Sequence, residues 1–227
     1  EDIQWLKDNT SKNSLDDSTS LYPVNSKVEA DNFRRLDSIS GDIVEITACD
    51  SFMYKKGNTS KAEEKNYENI TRKNIERIAP YKIKLKLGSR VMLTKNSKDN
   101  YRLVNGSIGK VMSISKDKII ILFENTGLLE VINKIIYTDT MGNVTLNREQ
   151  YPLKLAWSLT IHKSQGLTLN SMNLTMKDSF EDGQCYVGIS RASDPSKLFI
   201  DDIDNIKVSN RVNRHVKLFY ENLETKD

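Results

Sequence analysis

One short segment of the sequence places polar side chains directly after an apolar run, where they could bind phosphate. Residues 156–169 read A-W-S-L-T-I-H-K-S-Q-G-L-T-L. The side chains of His162, Lys163 and Ser164 can donate hydrogen bonds to phosphate oxygens. Thr160 precedes His162 by two residues and therefore shares its face of a strand end. The segment predicts a strand that ends in a ligand-binding turn, although a strand followed by an ordinary surface turn is an open alternative.

A second polar cluster follows an apolar, helical stretch nearer the end of the sequence. Residues 184–192 read Q-C-Y-V-G-I-S-R-A, which places Arg191 just beyond the predicted helix. A guanidinium stays charged and presents a planar fork of donors, so Arg191 could bind an anion. A lone arginine of this kind is more often a solvated surface residue, and this cluster alone does not decide between the two interpretations.

The elements that must position these clusters fall into three regions, and the first covers residues 1–80. It begins with a short helix, and a strand is predicted at residues 20–22, with a break at Pro23 and an amphipathic helix after it. The run I-V-E-I-T-A-C-D is typical of another strand. Residues 55–66 are polar and charged, and we expect them to form a solvated, mobile segment.

The second and third regions differ in the secondary structure that their sequences predict. Residues 81–148 contain about five short β-branched runs separated by Gly and Asn turns, which indicates a small closed barrel of the SH3-like kind. Residues 149–227 return to strands alternating with helices, and a closing helix is predicted at residues 210–222. The economical interpretation is one α/β domain, formed by residues 1–80 and 149–227, into which the barrel is inserted.

Composition limits the classes of protein that this sequence can represent. A chain of 227 residues that is 37% hydrophobic can bury a real core, and its 29% of charged residues is typical of soluble proteins. No apolar run approaches the roughly 18–20 residues that cross a bilayer, so we expect no membrane partner. Two distant cysteines predict neither a disulfide framework nor a metal site, and they favour an intracellular location of unspecified compartment.

The two polar clusters, together and in this order, resemble motifs V and VI of the RecD/Pif-type branch of superfamily 1 helicases. That branch typically shows A-W-(A/S)-x-(T/S)-I-H-K-(A/S)-Q-G-x-T-L, followed by G-Q-x-Y-V-(A/G)-(L/I)-S-R-A. The run L-Y-P-V-N-S-K-V is similar to motif IV, and residues 83–96 resemble the strands that open the family's inserted barrel. The resemblance implies a RecA-like domain of the P-loop NTPase type, the second motor domain without the P-loop itself, with an inserted SH3-like β-barrel.

The resemblance also implies a role for each matched residue. Arg191 matches the arginine finger, the catalytic residue that reaches the γ-phosphate of ATP. Further nucleotide-binding residues by this match are Gln165, Gly166 and Gln184. The residues matched to contacts with single-stranded DNA are Asn25, Thr160, His162, Lys163 and Ser164. For Ser164 and Gln184 an open alternative is local hydrogen bonding that fixes the loop. Weaker candidates for the same DNA track are Arg90, Lys95 and Lys98.

Motifs that are missing limit what this sequence can do alone. It contains no G-x-x-x-x-G-K-[ST] loop and no D-E pair after a strand. The resemblance therefore implies that ATP and Mg²⁺ are held mainly by a first RecA-like domain elsewhere in the full-length chain. We expect the chain to be the second half of an ATP-dependent 5′-to-3′ DNA helicase and to be inactive by itself. Two alternatives are a nucleic-acid-binding module with degenerate motor motifs and the helicase portion of a relaxase-like protein.

Overall fold

The structure is a computed structural model, and it describes residues 2–57, 59–97, 100–115, 118–177, 183–201 and 203. The chain divides into two compact units, one formed by Glu1–Arg35 with Ala156–Asp227 and the other by Leu36–Leu155. No helix in the described ranges is long and apolar enough to cross a membrane. The helix predicted at residues 210–222 lies outside the described residues.

The helices and strands have the following bounds. The helices are α1 (Asp2–Asn9), α2 (Asn25–Ser38), α3 (Lys61–Glu76) and α4 (Gln184–Ile189). Strands in the first half of the sequence are β1 (Thr19–Tyr22), β2 (Val44–Thr47), β3 (Cys49–Tyr54), β4 (Lys82–Leu85), β5 (Arg90–Leu93) and β6 (Ile108–Ile114). The remaining strands are β7 (Ile119–Phe123), β8 (Leu129–Ile132), β9 (Ile135–Met141), β10 (Val144–Gln150), β11 (Leu153–Leu155), β12 (Ser158–Thr160), β13 (Met172–Thr175) and β14 (Leu198–Asp201). Single 3₁₀ turns span His162–Ser164 and Pro195–Lys197.

The first unit is built on a parallel sheet with the strand order β12-β1-β13-β14. Its central side chains, Leu21, Leu159 and Leu174, are buried, as expected for strands covered on both faces. Tyr22 of β1 lies opposite Thr160 of β12, so the carboxyl ends of these two strands meet at one edge of the sheet. The prediction of an α/β fold with a parallel sheet is confirmed, and this edge is where such folds place their ligands.

The second unit is mainly antiparallel. Five strands form a sheet in the order β11-β5-β6-β7-β8, and β10 pairs with both β3 and β9 in a separate three-stranded sheet. β4 pairs with β2 rather than joining the larger sheet. Most side chains in the main core of the unit come from the five strands and from β4, among them Leu85, Leu93, Val111, Ile121 and Phe123.

The five-stranded sheet is strongly curled. Val131 and Ile132 of β8 line the same cavity as Leu93 of β5 and Pro152, which directly precedes β11. The two ends of the strand order therefore approach each other, and we call this cavity the seam groove. The curl is what a barrel requires, but in the described residues β8 and β11 are not paired, so closure into an SH3-like barrel remains a prediction.

The compact second unit, Leu36–Leu155, is wider than the region predicted to be inserted, residues 81–148. The pairing of β2 with β4 and of β3 with β10 explains the difference, because each of these pairs joins strands from both sides of residue 81. That the barrel is an insertion into the RecA-like domain remains a prediction.

The expectation of a mobile segment at residues 55–66 is wrong for its second part. Helix α3 begins at Lys61, and the side chain of Ser60 accepts a hydrogen bond from the Glu63 amide. The Glu63 carboxylate accepts in turn from the Ser60 amide at 2.9 Å, which completes a capping box. This reciprocal cap satisfies two amides at the start of the helix. The cap stabilises a helix in a run whose high charge predicted a solvated loop.

Candidate nucleotide and nucleic-acid site

The carboxyl edge of the parallel sheet brings together polar residues from motifs IV and V. α2 begins at Asn25, just after β1, and the 3₁₀ turn His162–Ser164 follows β12. The Lys163 Nζ donates to Asn25 Oδ1 at 3.5 Å, and the Lys163 backbone amide donates to Thr160 Oγ1 at 3.2 Å. Residues that are 138 positions apart in the sequence thus form one polar surface.

The polar residues of this turn divide into exposed and internal side chains. His162 and Lys163 are exposed, as is Asn25. Ser164 is fully buried, and its hydroxyl donates to the Ile161 carbonyl at 2.6 Å. Thr160 is also buried, with its hydroxyl accepting from the turn. Asn25, His162 and Lys163 are therefore accessible to a ligand, whereas Ser164 and Thr160 are buried and hydrogen-bonded within the turn. The predicted contact of these five residues with DNA remains a prediction.

The turn continues into a conformation that suits glycine. Gly166 has a φ of +81°, where a side chain strains the backbone, and no atom lies within 4 Å of where its Cβ would stand. Gln165, the residue before it, is exposed. The backbone here is open to the surroundings, as a close approach by a ligand requires.

Arg191 joins the motif VI cluster to the motif V turn. Its guanidinium donates to the Leu167 carbonyl at 3.3 Å, to the Val187 carbonyl at 3.2 Å and to the Ser190 hydroxyl at 3.0 Å. The Leu169 amide also donates to the Arg191 carbonyl at 2.8 Å. Arg191 is half-buried, and the three acceptors that it bonds in the described part of the chain are neutral, so these contacts orient its charge without neutralising it.

Gln184 lies at the first position of α4 and is 3% exposed. Helix α4 packs against the 3₁₀ turn of motif V, so Gln184 lies in the helix that directly precedes Arg191 and does not reach the surface itself. This placement fits the alternative of a residue that fixes the loop, and its predicted role beside the nucleotide remains a prediction.

A buried network beneath this edge was not predicted from the sequence. The Asp31 carboxylate on α2 accepts hydrogen bonds from the Ser158 hydroxyl on β12, from Arg34, and from Arg35 Nε at 3.0 Å. The neighbouring Asn32 bonds the Ser158 carbonyl and amide, both at 3.0 Å. α2 is thus fastened to the strand that delivers the motif V turn. Ser158 and Asp31 are 127 positions apart, so no local spacing signals the pair.

The electrostatics of Asp31 follow from its partners. Burial alone raises the pKa of a carboxyl group, but the hydrogen bond from Ser158 and the charges of Arg34 and Arg35 outweigh burial and leave the pKa of Asp31 lowered. Burial and the Asp31 charge raise the pKa of the nearby Tyr22 phenol. Asp31 is therefore ionised at neutral pH and acts as a fixed anchor.

The weaker DNA candidates lie in the other unit. Arg90 forms a two-pronged ion pair with Glu124, with Nε to Oε1 at 3.0 Å and Nη2 to Oε2 at 3.2 Å, so its charge is compensated. The Lys95 ammonium lies 4.2 Å from the centroid of the Tyr137 ring. Lys98 falls outside the described residues.

Comparisons with known proteins relate the chain to one group of helicases, although no family model matches it. The ATP-dependent DNA helicase PIF1 of Xenopus laevis is 35% identical over 212 residues, which cover 90% of this chain and 33% of that protein. The Pif1 helicase of Bdellovibrio bacteriovorus is 33% identical over 190 residues, covering 83% of this chain and 40% of that protein. The chain thus spans 33% and 40% of the length of these two relatives.

Solved structures agree. A Pif1 helicase from Candida albicans matches 100% of this chain and 53% of its own, with a TM-score of 0.73 and 29% identity. A Bacteroides Pif1 bound to single-stranded DNA has a TM-score of 0.68 and 21% identity over 97% of this chain and 49% of its own, a likeness of fold alone. The resemblance carried by motifs V and VI is confirmed, and the chain belongs to the Pif1-type helicases of superfamily 1B.

Proposed function

We propose that this chain supplies the second motor half of an ATP-dependent 5′-to-3′ DNA helicase. In this role Arg191 is the arginine finger, Gln165, Gly166 and Gln184 form its side of the nucleotide site, and the motif V turn contacts single-stranded DNA. The relatives that the chain matches over most of its length are named ATP-dependent DNA helicases, which supports the motor role.

The observation that carries this proposal is the set of acceptors around Arg191. Three hydrogen bonds to Leu167, Val187 and Ser190 hold the guanidinium, and none of these acceptors is charged. A guanidinium has five N–H donors, so others remain for an anionic ligand. A preorganised cation of this kind stabilises the charge of phosphoryl transfer without having to be reoriented during the reaction.

The open backbone at Gly166 fits a nucleotide beside Arg191. The Arg191 guanidinium bonds the Leu167 carbonyl, one residue beyond Gly166, so the glycine and the finger belong to one local structure. When bound, ATP would supply the phosphoryl group, and Mg²⁺ would supply positive charge beside its phosphates. Both are held mainly by the first RecA-like domain of the same full-length chain in this proposal.

For DNA, the exposed donors of the sheet edge favour contacts with the phosphate backbone. Asn25, His162 and Lys163 are short or positively charged donors at a strand end, and such groups reach backbone oxygens more readily than base edges. Phosphate contacts carry no sequence information, which suits a motor that must move along any strand. Thr160 and Ser164 serve this contact indirectly, by fixing the turn.

Hydrolysis and unwinding assays test the proposal. We expect the full-length protein to hydrolyse ATP in a DNA-stimulated manner and to unwind a fork with a 5′ tail. The 227-residue chain alone should show no turnover, because it lacks a phosphate-binding loop. DNA-stimulated hydrolysis by the pure chain would contradict the half-motor role. A full-length protein that binds DNA without hydrolysing ATP would favour the alternative of a binding module.

A further inference from the structure

The seam groove of the second unit has two cationic residues on its wall. The groove encloses about 510 Å³, and Lys95 and Lys134 contribute to its lining. The Lys95 Nζ lies 4.2 Å from the centroid of the Tyr137 ring, and the Lys134 Nζ lies 5.8 Å from that of Tyr151. Contact with an aromatic face orients an ammonium group but leaves its charge intact. Among the described residues that line the groove there is no carboxylate, so this part of the wall is positively charged.

The same part of the unit exposes branched aliphatic side chains. Val131 and Ile136 line the groove and are 49% and 64% exposed, and Leu129, on the same strand face as Val131, is 61% exposed. A cluster of exposed aliphatic side chains beside a concave surface is typical of a protein-binding site. Phosphate groups gain nothing from such contacts.

One edge of the groove is also an edge of the sheet. β8 pairs with β7 on one side and stands last in the strand order of the described residues. The outer side of an edge strand offers a row of backbone donors and acceptors to an additional strand. Together with the apolar side chains and the lysines, this edge matches the requirements for binding an extended peptide by strand addition.

We propose that the seam groove binds an extended segment of a partner protein in which acidic and apolar residues alternate, and that this segment pairs with the outer edge of β8. Its carboxylates meet Lys95 and Lys134, and its apolar side chains pack on Val131 and Ile136. Single-stranded nucleic acid fits this groove less well, because base stacking needs open ring faces. Tyr137 is 1% exposed and Tyr151 is 2% exposed, so neither ring is open to a base.

Fluorescence anisotropy with a labelled model peptide tests the proposal on the 227-residue chain. The probe is a peptide of about eight residues that alternates Val and Glu, long enough to form one strand. Charge reversal at both lysines, Lys95→Glu with Lys134→Glu, should weaken binding about tenfold or more. Binding should also slow hydrogen exchange at the amides of β8, which a contact through side chains alone leaves unchanged.

Matched controls separate the proposal from general charge attraction. Lys118→Glu reverses an exposed charge outside the groove lining and should leave affinity within about twofold. If the double variant has a lower melting temperature, Val131→Asp provides a second test, since it places a repelling charge on a half-exposed position of β8. Three outcomes overturn the proposal: equal binding of a peptide alternating Gly and Glu, equal loss of affinity in Lys118→Glu, or displacement of the peptide by oligothymidine at a similar concentration.

Discussion

Two arginines, one in each unit, differ in the charge of the groups that their guanidinium groups bond. Arg148, on β10, is 2% exposed and donates to both oxygens of Asp50, at 2.7 and 3.0 Å, and to Glu76 at 2.6 Å. Arg191 makes a comparable number of hydrogen bonds, but to two carbonyls and a hydroxyl. The first charge is neutralised by carboxylates and fastens β3 and α3 to β10. The second is oriented by neutral groups among the described residues, and these contacts leave its charge uncompensated.

A cation paired with carboxylates and one held by neutral acceptors differ in the charge that they present to a ligand. An ion pair removes the net charge of both partners, whereas a neutral acceptor orients a cation and leaves its field in place. By this criterion Arg90, paired with Glu124, belongs with Arg148, and Lys95 and Lys134 belong with Arg191. Replacing members of each group should therefore change different properties of the protein.

The largest expected effect is on catalysis, from Arg191→Ala in the full-length protein. ATP hydrolysis should fall by roughly 10³-fold, because the transition-state charge loses its cation. Arg191→Lys should recover little of it, since an ammonium cannot form a planar fork. Steady-state hydrolysis at saturating DNA measures the effect, and Ser190→Ala, which removes one neutral acceptor of the finger, is the control. Turnover of Arg191→Ala within about twofold of wild type would make this arginine structural.

The next effect is on stability, from Arg148→Ala. Removing one partner of a buried ion pair costs about 3–5 kcal/mol, because Asp50 is left buried and uncompensated. Urea unfolding of the second unit, followed by hydrogen exchange, measures the loss. Arg72→Ala is the matched control, since Arg72 is exposed and contacts only the face of Phe52, at 5.0 Å, among the interactions of the described residues. An equal loss of stability in both variants would show that the carboxylate partners of Arg148 do not account for it.

A smaller and pH-dependent effect is expected from Asp31→Asn in the first unit. The pKa of Asp31 is lowered in the folded state, so the ionised carboxylate contributes stability above its unfolded pKa of about 3.9, and this contribution is lost as the pH falls through the folded pKa. The variant should be less stable than wild type by about 2 kcal/mol at pH 7, and the difference should shrink below pH 4.

Tryptophan fluorescence during urea unfolding can follow this difference, because both tryptophans, Trp5 and Trp157, belong to the first unit. Asp16→Asn is the control, as Asp16 belongs to the same unit and is exposed. A stability difference that stays constant from pH 7 to pH 3 would mean that packing, and not the charge of Asp31, anchors β12.

The features that could be predicted from the sequence are those with a local signature. The parallel strands β1, β12 and β13 and the placement of Arg191 beyond α4 follow from periodicity and from motif order. Helix α3 was missed although its signal was present, because Ser60 and Glu63 have the spacing of a capping box inside a highly charged run. The pairing of β4 with β2 and the Asp31–Ser158 contact have no local signature, since both join residues that are distant in the sequence.

The smallest expected effect is on DNA affinity, from the exposed donors of the motif V turn. His162→Ala should weaken binding of single-stranded DNA by the full-length protein a fewfold, and equally for mixed-sequence oligonucleotides, because phosphate contacts carry no base information. Lys163→Ala should reduce the slope of log affinity against log salt by about 0.7, the value for one phosphate contact on a single strand. His162 is exposed, so its truncation should lower the melting temperature less than loss of the buried Ser164 hydroxyl does. Ser164→Ala is the contrasting variant: its buried hydroxyl bonds the Ile161 carbonyl, so stability should fall while the salt slope stays the same. If His162→Ala instead lowers the melting temperature strongly and leaves DNA affinity intact, His162 stabilises the turn and does not contact DNA.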